Sequence, residues 1–297
     1  MAPVQPDNLQ QRGERLAANL PPLLVAAERV ASTVAQGVHG RRRIGQGETF
    51  WQFREYDVSD QPQSIDWRQT GKSDRVFVRE LEWEAAQSVW LWRDTSASMS
   101  WSSDKSLPSK RARADILTLA LAVLLIRGGE HLALLGAARR PSSGRATLTR
   151  LAAEMERGRE TQSGDGLPER HALPRHGQVV LIGDFLRPLP EIAETIQFYA
   201  ESGLRGMILQ LLDPAEETLP YQGRVRFEGL ADRQDQSWLL GKVETVRERY
   251  LARLGAQRAG LDDIARRVGW RCAHHRTDKP AEAALLALYS ALAPEAR

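Results

Sequence analysis

Cysteine is nearly absent from this chain. A single thiol, Cys272, stands among 297 residues, so no intrachain disulfide can form. A zinc site built from several thiolates is excluded as well. This usage fits a reducing compartment. Long apolar runs are also missing. The longest, Ile116 to Ile126, has eleven residues, short of the roughly 20 that a helix needs to cross a bilayer. The N-terminal stretch, Met1 to Gln11, carries Asp7 and several amides and lacks the apolar core of a signal peptide. The expected address is the cytoplasm. One-signed charge is scarce too: the formal net charge is +3, and only Arg41, Arg42 and Arg43 form a tight basic run. A nucleic-acid surface needs basic residues clustered on one face, and a run this short reads as solvated loop.

What is present is a globular composition, 42% hydrophobic and 27% charged, which sets disorder aside. The length suits one large α/β domain with an extension, or two small domains. Leu16 to Ala35 has apolar residues at helical spacing, with Pro21-Pro22 near its start. Gly37 to Gly47, rich in Gly and Arg, reads as loop. Six of the eight tryptophans fall between Trp51 and Trp101, and that density of large aromatics predicts a packed segment. Arg75 to Glu80 alternates as a strand does.

From Ser88 onward strands and helices alternate. Ser88–Arg93, His131–Ala137, Gln178–Ile182, Leu204–Leu212 and Trp270–His274 read as strands. Lys110–Arg127, Leu189–Glu201, Lys242–Val268 and Ala281–Leu292 read as helices, the first closed by Gly128-Gly129. The pattern predicts a mainly parallel sheet with helices on both faces.

Ligands of such sheets bind outside the carboxyl ends of the strands. Two predicted strands end there in an aspartate, Asp94 and Asp184. After the first comes Asp94-Thr95-Ser96-Ala97-Ser98. Alternate residues of an extended turn project to one side, so Asp94, Ser96 and Ser98 can converge, with Asp184 arriving from a neighbouring strand. One hard-oxygen pocket of this kind suits Mg²⁺. The plainer reading is that the serines and aspartates cap turns and helices.

The run Asp94 to Ser98 resembles the D-x-S-x-S of von Willebrand factor A domains, their metal-ion-dependent adhesion site. Upstream, Phe50, Arg54-Glu55-Tyr56, Asp60, Ile65-Asp66-Trp67-Arg68 and Val78-Arg79-Glu80 resemble the signature of the bacterial family called domain of unknown function 58. Downstream, Gly183-Asp184-Phe185 stands where that family has Ser-Asp-Phe. Asp213-Pro214, Glu216, Leu219-Pro220 and Phe227 match a second signature. The resemblance spans Gly40 to the C-terminus. There are departures. Ser59-Asp60-Gln61 replaces a Gly-Asp-Asp. The adhesion site's second loop, usually Thr-Asp-Leu, corresponds to Ser163-Gly164-Asp165-Gly166-Leu167, without a threonine; Ser163 or Asp165 is the available substitute.

The resemblance implies a von Willebrand factor A-like (Rossmann-like) domain over residues 85–297, preceded by a smaller structured region over 1–84. It implies a protein-interaction role as partner of a MoxR-type AAA+ ATPase in the assembly or maturation of other proteins. The implied site is an incomplete Mg²⁺ site of Asp94, Ser96, Ser98, Asp184 and Asp165, whose open position an acidic side chain of a partner fills. The rival readings are a metal-assisted hydrolase using Asp94 and Asp184, and a metal-free scaffold. No base, nucleophile or second acid stands near these residues in sequence, so the expectation is a non-enzyme.

Other motifs carry less. Gly71-Lys72-Ser73 mimics the end of a phosphate-binding loop, but Asp66 stands where that loop needs its first glycine. Gly45-x-Gly47 has Phe50 in place of a third glycine and reads as a turn. His274 and His275 are adjacent on a strand, so they point to opposite faces and cannot easily share one metal. Cys272 within that strand reads as inert core.

Overall fold

The structure is a computed structural model. It describes residues 27, 30–32, 49–56, 65–72, 75–82, 87–137, 140–157, 164–229 and 237–292. The chain forms two compact units, residues 38–86 and residues 1–37 with 87–297. The division at 86/87 lies two residues past the expected 84/85. It also joins residues 1–37 to the larger unit rather than to 38–86. Of the expected helix Leu16–Ala35, Ala27, Val30, Ala31 and Ser32 are helical, with Ala27 and Ala31 buried. The Gly37–Gly47 loop, Asp60 and Ser163 lie outside the described residues.

The smaller unit holds β1 (Thr49–Glu55), α1 (Trp67–Thr70) and β2 (Phe77–Glu82). β1 and β2 pair antiparallel, with an irregularity between Phe50 and Gln52. Asp66 caps α1, its carboxylate accepting from the Gln69 amide at 2.9 Å. It therefore satisfies one of the donors that a helix start leaves open. Thr70 Oγ1 accepts from the Phe77 amide at 3.0 Å and ties α1 to β2. Trp67 is 70% exposed, so the aromatic density of this segment is not all packing.

The larger unit contains β3 (Ser88–Arg93), a 3₁₀ turn (Ala97–Ser100), α2 (Lys110–Arg127), β4 (His131–Leu134), α3 (Arg145–Arg157) and β5 (Gln178–Gly183). It continues with α4 (Leu189–Glu201), β6 (Arg205–Leu212), α5 (Pro214–Thr218), β7 (Val225–Glu228), β8 (Ser237–Leu240), α6 (Glu244–Arg267), β9 (Arg271–Arg276) and α7 (Ala281–Leu292). Five strands form one parallel sheet in the order β4-β3-β5-β6-β9. The hairpin β7–β8, the short α5 and α3 have no counterpart in the sequence assignment, although Leu148, Leu151, Ala152 and Met155 give α3 a helical apolar stripe.

Period-two alternation sorts each strand between two helical layers. Trp90, Val179, Leu181 and Ile208 face one side. There they form a core with Ile192, Ile196 and Tyr199 of α4, Leu261 and Ala265 of α6, and Trp270. Val89, Leu91, Val180, Ile182 and Leu209, all buried, take the other side, where α2 packs against α3 and α7. With both faces covered, the strands read as apolar runs. The result is a doubly wound, Rossmann-like sheet, consistent with the von Willebrand factor A-like class. β4 lies on one side of β3 and β5 on the other, so the strand order reverses between β3 and β5. That crevice is the place where such sheets bind ligands.

Candidate functional site

Asp94 directly follows β3 and Asp184 directly follows β5. The two neighbouring strands are in register (Arg93 beside Ile182), and the Asp94 amide donates to the Ile182 carbonyl at 2.8 Å. Both aspartates therefore emerge at one edge of the sheet, in the crevice where the order reverses. The chain then turns back on itself. Asp94 Oδ1 accepts from the Ser96 amide at 2.7 Å, which bends the segment into the 3₁₀ turn anchored by buried Met99. The bend brings the Ser96 and Ser98 hydroxyls 3.0 Å apart. Ser98 Oγ donates to Asp184 Oδ2 at 2.6 Å. Asp94, Ser96, Ser98 and Asp184 are thus brought together as the sequence predicts.

Two members of the cluster escaped the sequence reading. Lys110, the first residue of α2, is fully buried, and its Nζ lies 3.0 Å from Asp184 Oδ2 and 2.5 Å from Glu216 Oε1. A cation at a helix N-terminus opposes the macrodipole, so these two carboxylates must hold it there. Glu216 arrives by a separate route. Asp213 ends β6 and caps α5 with Pro214 in the first turn, and the Glu216 side chain closes the capping box on the Asp213 amide at 2.8 Å. The capping box so fixes one Glu216 oxygen and aims the other at Lys110.

Burial works against the Lys110 ammonium, but the charges of Asp184 and Glu216 outweigh it and push its pKa up. Burial, and secondarily Asp184, raises the carboxyl pKa of Glu216 against the pull of Lys110. Asp94 is raised as well, first by burial and then by the charge of Asp184. Its Oδ2 is buried and has no hydrogen-bond partner among the described residues.

The second loop packs directly on this turn. A Cβ on Gly164 would stand 2.7 Å from Thr95 Oγ1 and 2.9 Å from the Ser96 amide nitrogen, so only glycine fits that close approach. Asp165 is not brought into the cluster. Its side chain is 87% exposed and pairs with Arg187 at 3.3 Å, because the chain between Gly164 and Gly166 turns it to solvent. Contrary to the expectation from the sequence, Asp165 is not placed to be a ligand of this cluster. Gly183 is 3.0 Å from Asp94 Cβ at the point where its own Cβ would lie, so a larger residue would crowd the aspartate.

The donor set fits a hard dication. Three carboxylates face one ammonium, which leaves two formal negative charges in a largely buried cluster. Asp94 Oδ2 is buried without a hydrogen-bond partner among the described residues, and the Ser96 and Ser98 hydroxyls belong to the same cluster. Mg²⁺ takes one or two carboxylates, keeps waters, and would neutralise the remainder. Asp94, Ser96 and Ser98 would hold it, and Asp184 would stand behind Ser98.

A Rossmann-like sheet with an acidic, hydroxyl-lined crevice at its switch point is the class of protein the fold and site define. The chain belongs to the family described as Protein of unknown function DUF58, whose model matches residues 52–260. Comparison with curated proteins gives no match. Among solved structures the chain is similar to the conserved hypothetical protein BatB from Bacteroides thetaiotaomicron. That likeness has 15% identity and a TM-score of 0.38, over 69% of this chain and 98% of the other. A score at that level bears on neither the fold nor the function.

Proposed function

We propose that the protein is a cytoplasmic, non-enzymatic interaction module. Its Mg²⁺-bearing crevice engages a MoxR-type AAA+ ATPase during assembly or maturation of other proteins. The observation that carries the reading is the buried Oδ2 of Asp94, without a hydrogen-bond partner among the described residues, in the cluster that holds the Ser96 and Ser98 hydroxyls. A carboxylate in that setting calls for a cation. A cation held by so few charged ligands stays electron-poor toward the open side, where a carboxylate of a partner protein completes it. The missing second-loop threonine makes this a weaker, more readily exchanged site than a full donor set.

A metal-assisted hydrolase has less support. Both carboxylate oxygens of Glu216 are engaged, by Lys110 and by the Asp213 amide, which leaves it a poor general base. Among the described residues no helix is long and apolar enough to cross a membrane. The test is affinity capture from native lysate with wild type and Asp94→Asn, each with Mg²⁺ and with chelator. Recovery of an AAA+ ATPase by wild type with Mg²⁺ alone supports the reading. Equal recovery under all four conditions overturns it.

A further inference from the structure

β9 is the edge strand beside β6. Cys272 and His274 lie two residues apart on it and project from one face, while His275 turns to the other and is buried. α6 packs against β9 and brings Asp262 to the same place. A ligand atom from each of Asp262, Cys272 and His274 lies within 4.8 Å of the other two. A tetrahedral ion with bonds of ~2.0–2.3 Å holds its ligands roughly 3.5 Å apart. Small side-chain rotations therefore close the set.

The hydrogen bonds around His274 say what belongs between these groups. The Gln210 amide nitrogen donates to the Asp184 carbonyl at 2.9 Å, so its oxygen is the atom facing His274 Nδ1 at 2.8 Å. That oxygen can only accept, which puts the ring proton on Nδ1. Nε2 then faces Asp262 Oδ1 at 3.0 Å. With Nδ1 engaged by Gln210, Nε2 is the ring atom open to a metal, and it points at Asp262. The Cys272 sulfur completes the set of three.

We propose that Asp262, Cys272 and His274 form a binding site for a zinc-class dication, with Gln210 orienting His274 from behind. The metal takes the Nε2 lone pair, an Asp262 oxygen and the Cys272 sulfur, whose proton leaves to solvent. Thiolate, imidazole and carboxylate together favour zinc, cobalt and their neighbours over Mg²⁺ or Ca²⁺. The Asp262 and His274 side chains are 40% and 26% exposed, so the fourth position opens to water or to a donor from another molecule. One cysteine cannot build a zinc site of several thiolates, and this site needs only one. Asp184's backbone carbonyl and His274 share the Gln210 amide, but the site uses none of the groups proposed to hold Mg²⁺.

The test is titration of Co²⁺ into the full chain near neutral pH. Cys272 is the only cysteine, so a near-ultraviolet thiolate-to-cobalt charge-transfer band reports this residue alone. The band is expected to saturate at one equivalent, with visible bands of a four-coordinate ion, and to vanish on adding Zn²⁺. Cys272→Ser should lose it. His274→Ala should weaken cobalt affinity about tenfold or more. Asp94→Asn should keep the band in full, which separates this site from the crevice. Absence of the band in wild type under excess Co²⁺ overturns the proposal. So does a band unaltered in both His274→Ala and Asp262→Asn, which would mean adventitious binding to the thiol only.

Discussion

The fully buried Lys110 places its Nζ 3.0 Å from Asp184 Oδ2, and the same ammonium reaches Glu216. This contact joins the first turn of α2 to the carboxyl ends of β5 and β6. It also divides the crevice. Asp184 and Glu216 share the one ammonium by direct contact, whereas Asp94 makes no ion pair with it.

Lys110→Met should therefore be costly. It leaves buried Asp184 and half-buried Glu216 without their cation, and removal of one partner of a buried pair costs ~3–5 kcal/mol. Chemical denaturation in chelator should show this loss. Added Mg²⁺ should recover more stability in the variant than in wild type, because the vacated charge makes the crevice a better cation site.

Asp94→Asn should behave in the opposite way. The amide oxygen can still accept from the Ser96 amide, while the buried charge is gone. The shift at Asp94 is upward, so the folded protein binds more protons than the unfolded chain at pH values above the ordinary aspartate range. Stability from this group is present at low pH and is lost as pH rises through the raised value. At neutral pH without metal the variant should match or exceed wild type, by about 1 kcal/mol. A variant that melts well below wild type in chelator would contradict this.

The D-x-S-x-S run and the two strand-end aspartates were legible because each signal is local. Asp94, Ser96 and Ser98 alternate within one five-residue stretch, and an aspartate after an apolar run is visible without a partner. Lys110 and Glu216 were not, since Lys110 reads as the first residue of a helix and Glu216 only as part of the second family signature. Only the register of β3, β5 and β6 brings them to Asp184. Asp165 failed for the converse reason: proximity in sequence to the second loop says nothing about which way the side chain turns. The opposite facing of His274 and His275 was legible from strand geometry. The pairing of His274 with Cys272 and Asp262 needed α6 in place.

Gly164 is predicted to be irreplaceable. Gly164→Ala puts a Cβ against the Ser96 backbone, which cannot swing aside as a side-chain tip can. Overpacking of this kind costs ~1–3 kcal/mol. The displaced turn should also lose Mg²⁺ affinity. Thermal melts with and without Mg²⁺ check both effects, and a variant with wild-type stability and affinity would show that the second loop does not buttress the turn.

His275 should govern stability on the mildly acidic side. Burial, then the nearby charge of Arg113, lower its pKa to about 4, with Asp278 opposing. A base with a depressed pKa is neutral in the fold, so its contribution is full above the ordinary histidine value of ~6.5 and is lost as pH falls from there toward 4. The loss amounts to roughly 3 kcal/mol at most. Glu217 and Asp278, whose pKa values are lowered, act below that window. His275→Leu should flatten the fall in melting temperature between those two pH values; an unchanged slope would assign it to other groups.

The crevice itself is tested most directly by calorimetric titration of Mg²⁺ into the full chain and into Asp94→Asn in the same buffer. The predicted result is saturable binding at one site in wild type and none in the variant. Equal heats in both proteins, or no binding in either, would contradict a cation held by Asp94.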